Sequence, residues 1–161
     1  MRRKITFLLL LTMLGVSMLT DWCSGNWSQL LNGSWQHLLM SVFGISLCLF
    51  LAKRTAEEGG KPFLFLCAAL CVILPNQGSL QKLHEVLAYL CFALFSLGAF
   101  SALYGHWQKE PGDFVLFGQF LAVLALTGIM FGGFLCVNTL MEVFYIGAVL
   151  FFFDRMERRK P

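Results

Sequence analysis

The sequence predicts an all-α integral membrane protein, a single-domain helical bundle over residues 1–161 with six transmembrane helices and both termini in the cytoplasm. Three observations predict it. The chain is 58% apolar and only 13% charged, against about 45–50% and about 25% in soluble domains, so it lacks the charge to cover a water-facing surface. Its apolar residues fall in long unbroken runs. Its basic residues gather at alternate ends of those runs, as topology signals do.

The runs justify the elements in order. The first is Ile5–Thr20, opened by Arg2, Arg3 and Lys4, and the second is roughly Leu38–Ala52. The third, Pro62–Pro75, is the shortest, with 14 residues; a helix of that length rises only about 21 Å against a hydrocarbon core of about 30 Å. Lys61 can snorkel and the bilayer can thin to accept it. The fourth is Leu83–Tyr104. The last stretch, Phe114–Phe153, holds 40 residues and one charge, Glu142. As one helix it would be about 60 Å long, twice the core, so it must fold back. Val137-Asn138-Thr139 is the polar break near its middle and takes the turn, giving a fifth and a sixth span.

Charge placement tests the count. With the N-terminus inside, 11 of the 12 basic residues fall on the cytoplasmic side and only Lys82 falls outside. Four spans is the alternative. It arises if the first run is a cleaved signal peptide or if the third run does not cross; no small-x-small cleavage site precedes Asp21. Trp22, Trp27 and Trp35 suit an outer interface. No internal repeat is present, so an inverted-repeat transporter is not supported.

The net charge of +3 sits in clusters rather than along a stripe, which excludes a nucleic-acid partner. Six Cys occur, at 23, 48, 67, 71, 91 and 136. Inside apolar runs they act as small hydrophobes, and Cys67 and Cys71 lack the second pair that a zinc site needs. No metal and no cofactor is expected. A disulfide between Cys23 and Cys136 on the outer side is left open.

Polar groups within a bilayer are expensive, which makes each one a question. They collect at the outer ends of the runs. His37 opens the second, Asn76 and Gln77 follow the third, His84 and Glu85 open the fourth, and Asn138 and Glu142 begin the sixth. The expected ligand-binding set is His37, His84, Glu85, Asn138 and Glu142. Glu142 is the sharpest member, because a lone charge there costs several kcal/mol unless it is paired or neutral; His84 or His37 is the obvious partner. The plain structural reading is an interhelical hydrogen bond. His84 and Glu85 are adjacent and point about 100° apart on a helix, which argues against a shared metal. The inner halves of the runs look apolar, with Gln119 the main exception. Gly128-x-x-x-Gly132 reads as close helix packing inside the protein or, less favoured, as a dimer face. Glu57-Glu58-Gly59-Gly60-Lys61 lacks the order of a phosphate loop, and no nucleophile motif appears.

Three stretches carry a resemblance: Trp35-Gln36-His37 followed by Phe43–Ala52; Leu74-Pro75 followed by Leu83-His84 running into Ala88, Phe92 and Phe95; and Glu142 at the start of the last span. In this order they resemble an uncharacterised bacterial family of six-span membrane proteins, related to the group that includes the DRAM autophagy modulators. Similar proteins carry an Arg directly after the Glu, where Val143 stands here. The resemblance implies six helices and the importance of Pro75, His84 and Glu142. It implies no established reaction.

The function expected is therefore a non-enzymatic membrane protein whose outer-leaflet polar pocket binds lipid or a small polar ligand. One alternative is a small transporter or channel subunit, which needs a polar path through the whole bundle. Another is a membrane enzyme acting on lipid, with His84 and Glu142 as acid and base. A homo-oligomer or a partner membrane protein is left open.

Overall fold

Apolar runs of this length satisfy their backbone hydrogen bonds internally as helices, and helix is what the computed structural model contains. It describes residues 2–20, 34–73, 80–134 and 139–158, and no strand occurs among them. In chain order the helices are α1 (Arg2–Ser17), α2 (Ser34–Glu58), α3 (Phe63–Cys71), α4 (Gln81–Lys109), a 3-10 turn at Pro111–Asp113, α5 (Phe114–Phe134) and α6 (Thr139–Arg158). Three stretches, Trp35–Glu58, Gln81–Lys109 and Pro111–Met130, are long and apolar enough to cross a membrane; Lys4–Ser17 is a shorter apolar helix.

The helices group into two compact units, residues 28–111 and residues 1–27 with 112–161. The first holds α2, α3 and α4. Helix α2 ends at a glycine turn. Gly59 takes φ +82°, a conformation that costs other residues about 1–2 kcal/mol. Gly59 N–H donates to Ala56 O and Gly60 N–H to Thr55 O, at 3.1 and 2.9 Å, the Schellman pattern that satisfies the last carbonyls of a helix. The chain then returns beside both neighbours. Lys61 N–H donates to Ser101 Oγ on α4, and further along Cys91 Sγ of α4 approaches Ala68 O of α3. At the far end His37 of α2 bonds Ile73 O. Helix α3 is thus antiparallel to both α2 and α4, and those two run parallel.

Helix α3 spans nine residues, shorter than the apolar run Pro62–Pro75 that encodes it, and rises only about 14 Å. Yet the segment from Gly60 to Ile73 returns from the last residue of α2 to the level of His37, 21 residues back. The turns on either side of the helix and the reach of the His37 ring supply the remainder. Small side chains let the three helices close. The edge of the Phe65 ring occupies the space that a Cβ on Gly98 would need, and Phe65 meets Phe95 edge-on, with centroids 5.1 Å apart. Phe65, Ala68, Leu51 and Ala102 are fully enclosed. Cys48 and Cys71 are buried among them as free thiols.

The second unit holds α1, α5 and α6. Helix α6 packs on both of the others. Met13 of α1 lies over Gly147, and the hydroxyls of Thr20 and Thr139 bond at 2.8 Å. Phe120 of α5 and Phe152 of α6 meet edge-on at 5.9 Å. A shallow apolar groove of about 520 Å³ runs between α5 and α6, lined by Gln119, Val123, Phe144, Gly147 and Phe151 among others. At Gly128 an added Cβ would meet nothing within 4 Å, so the close packing expected of the Gly128-x-x-x-Gly132 pair is not made there. The expected turn at Val137-Asn138 and the loop carrying Cys23 lie outside the described residues, as does Cys136; α6 begins at Thr139.

Candidate functional site

The strongest concentration of buried charge lies at the C-terminal ends of α2 and α4. The glycine turn at 59–60 stops α2 immediately after Glu58, so Arg54, Thr55, Glu57 and Glu58 all stand on its last helical turns. Because α2 and α4 are parallel, these residues meet the last turns of α4. There Gly105 leaves room for backbone contact: a Cβ on it would lie 2.5 Å from Glu58 O. Against this close approach His106 Nδ1–H donates to Glu58 Oε2 at 3.0 Å, with the side chains only 3% and 2% exposed. An ionised acceptor makes such a bond stronger than a neutral one.

The surrounding groups are largely engaged. Arg54, 3% exposed, donates through Nη1 to Glu57 Oε2 at 3.0 Å. Lys109 Nζ donates to Glu57 O at 2.8 Å, tying the end of α4 to the end of α2. Ser101 Oγ receives Lys61 N–H and itself donates to Gly98 O. The hydroxyl of Thr55 is fully enclosed and has no hydrogen-bond partner among the described residues. One turn outward, Gln108 Nε2 donates to the Tyr104 hydroxyl, and Tyr104 and Trp107 meet edge-on at 5.7 Å.

The residues singled out in the sequence fare differently. His37 donates from Nε2 to Ile73 O at 2.9 Å and so holds the ends of α2 and α3 together. His84 is buried, 4% exposed, in the first turn of α4, while its neighbour Glu85 is exposed and accepts a bond from Gln81 Nε2 at 3.3 Å. Glu142 lies half-buried in the first turn of α6. His37, His84 and Glu85 belong to one unit and Glu142 to the other. Asn138, Asn76 and Gln77 lie outside the described residues. No group of three or more His, Cys, Asp or Glu among the described residues is arranged to hold a metal.

Sequence reasoning passed over the Glu58–His106 pair. Following apolar extent alone closes the second run at Ala52 and the fourth at Tyr104, which leaves both Glu58 and His106 outside them. The Gly59-Gly60 stop was the available signal. It places Glu58 on the helix, whereas its partner 48 residues away leaves no local trace. Chemically the pair can hold and exchange one proton over a single hydrogen bond. No nucleophile is paired with it in the manner of an acyl- or phosphoryl-transfer site. No family model matches the chain, and no curated protein or solved structure matches it.

Proposed function

We propose that the chain is a six-span integral membrane protein with both termini cytoplasmic, and that it is a non-enzymatic binder of lipid or a small polar ligand. The observation that carries the membrane reading is how little of the long apolar helices the fold covers. Only 22–33% of each window is buried, despite a mean hydropathy of 1.7–2.1. Leu38, Val42, Leu49, Val86, Leu97, Val115 and Ile129 all face outward. In water such a surface far exceeds the apolar patch of a few hundred Å² that a soluble monomer tolerates; in lipid it costs nothing. The parallel course of α2 and α4 supports a return crossing through α3, as six spans require. Surface labelling of the Lys53 and Lys82 positions, each as a single introduced Cys, tests the topology. They should label from opposite sides, and labelling from the same side removes the six-span reading.

The binding role rests on His37, His84, Glu85, Asn138 and Glu142 at the outer ends, the set to which the bacterial six-span resemblance also points through Pro75, His84 and Glu142. Substituting His84 with Ala and Glu142 with Leu should strip copurifying lipid from the detergent-extracted protein. Unchanged lipid content would end that assignment.

One observation favours a second reading, a small carrier. The inner ends of α2 and α4 are not apolar, since Arg54, Thr55, Glu58 and His106 are buried there. A buried carboxylate–imidazole pair is the kind of group a coupled carrier uses. Proteoliposomes with an internal pH dye distinguish the two, because a carrier moves protons on addition of its substrate and a binder does not.

A further inference from the structure

We propose that the cytoplasmic end of the α3–α4 face is a binding site for an anionic glycerophospholipid of the inner leaflet, with Lys61 and Lys109 holding the phosphate. The proposal rests on the membrane reading above but concerns the opposite end of the α2–α4 unit from His37 and His84.

The first support is charge. At this end of the unit, Glu57 is taken by Arg54 and Glu58 is enclosed with His106. What remains exposed is three lysines, Lys53, Lys61 and Lys109, against one acid, Glu110. Two of the lysines flank the same glycine turn. The Lys109 ammonium lies 3.7 Å from where a Cβ on Gly59 would sit, and Lys61 follows two residues later with its backbone N–H fixed to Ser101 Oγ. The turn thus lies between a lysine held over it from α4 and a lysine whose backbone is fixed two residues further on.

The second support is the surface below the lysines. Phe63, Leu66 and Leu70 of α3 are exposed at helical spacing, and so are Leu97, Phe100 and Tyr104 of α4. The α3 stripe starts two residues after Lys61, and the α4 stripe ends five residues before Lys109. A phosphate held by the two lysines thus leaves one apolar stripe on each helix for an acyl chain. Tyr104 and Trp107, in edge-on contact, supply the aromatic pair that settles at headgroup level. A zwitterionic lipid carries its own cation beside the phosphate and gains less from the lysines. Charge complementarity therefore selects an anionic lipid.

The test uses the full chain in mild detergent, with native mass spectrometry of added phosphatidylglycerol and phosphatidylcholine of identical acyl chains. Each lysine near the bilayer surface is worth about fivefold in affinity for an anionic lipid, so the pair together gives about twenty-five-fold preference. Lys61→Gln and Lys109→Gln should each lower that preference about fivefold. Lys61→Arg should keep it, and so should Lys82→Gln at the other end. Equal preference in wild type and both Gln variants overturns the proposal, as does comparable binding of glycerol phosphate, which has the charge but no chains. A protein that stays monodisperse without detergent fails the membrane reading instead, and that result is separate from the lipid ratios.

Discussion

Replacing His106 with Leu removes the donor 3.0 Å from Glu58 and leaves that carboxylate, 2% exposed, in its enclosure. Two magnitudes compete. Interhelical hydrogen bonds in membrane proteins average about 0.6 kcal/mol and reach about 1.7, whereas removing one partner of a buried ion pair costs about 3–5 kcal/mol. Burial decides in favour of the second, because water cannot replace the imidazole while Gly105 and Glu58 O remain in contact. Arg54, buried on the preceding turn, supplies part of the missing field, so the lower end, about 3 kcal/mol, is expected. Glu58→Leu together with His106→Leu should restore most of that loss, since an apolar pair needs no compensation. The coupling between the two sites should then be about 2 kcal/mol or more. Unfolding of the purified protein in mixed micelles of increasing denaturing-detergent content measures all four members of the cycle. Single variants costing less than about 0.6 kcal/mol and adding in the double variant would refute the reasoning.

Glycine positions give a graded set in the same assay. Gly105→Ala pushes a methyl into Glu58 O at 2.5 Å and should destabilise by about 1–3 kcal/mol, whereas Gly128→Ala, with nothing within 4 Å, should be neutral or stabilise by up to about 1 kcal/mol. Gly59→Ala, at φ +82°, should cost about 1–2 kcal/mol from strain alone. Thr139→Val removes the 2.8 Å hydroxyl pair with Thr20 and should cost about 1 kcal/mol, a loss read as faster hydrogen exchange where α1 meets α6.

Helix existence was legible because hydropathy alone dictates it: each apolar run became a helix. Boundaries were less legible, and for one reason. A run ends where apolar residues end, but a helix ends where a cap or breaker stands. Helix α2 therefore continues from Ala52 through Lys53–Glu58 to Gly59, and α4 continues past Tyr104 to Lys109, with Pro111 close behind. Both extensions carry the charged residues that form the Glu58–His106 cluster, so the boundary error and the missed pair are one event. In the opposite direction, α3 stops at Cys71, short of Pro75. The candidate set around His37 and His84 was legible as residue types. His37 turned out to bond backbone, and the adjacent His84 and Glu85 divide between interior and surface, as a 100° step along a helix requires. Which residues meet across separate helices depends on tertiary register, and one sequence does not encode that in any local pattern.

The brevity of α3 bears on how such a chain enters a bilayer during synthesis. Nine residues fall well short of the roughly 17 that insertion machinery reads as an independent segment. Basic residues Lys53, Arg54 and Lys61 immediately upstream resist translocation. The segment would therefore commit late, drawn in as a hairpin with α4 only after that longer helix has left the ribosome. On the proposed six-span topology the polypeptide would wait until then with α2 inserted and its return limb still on the cytoplasmic side, and the contact of His37 with Ile73 would be among the last to close.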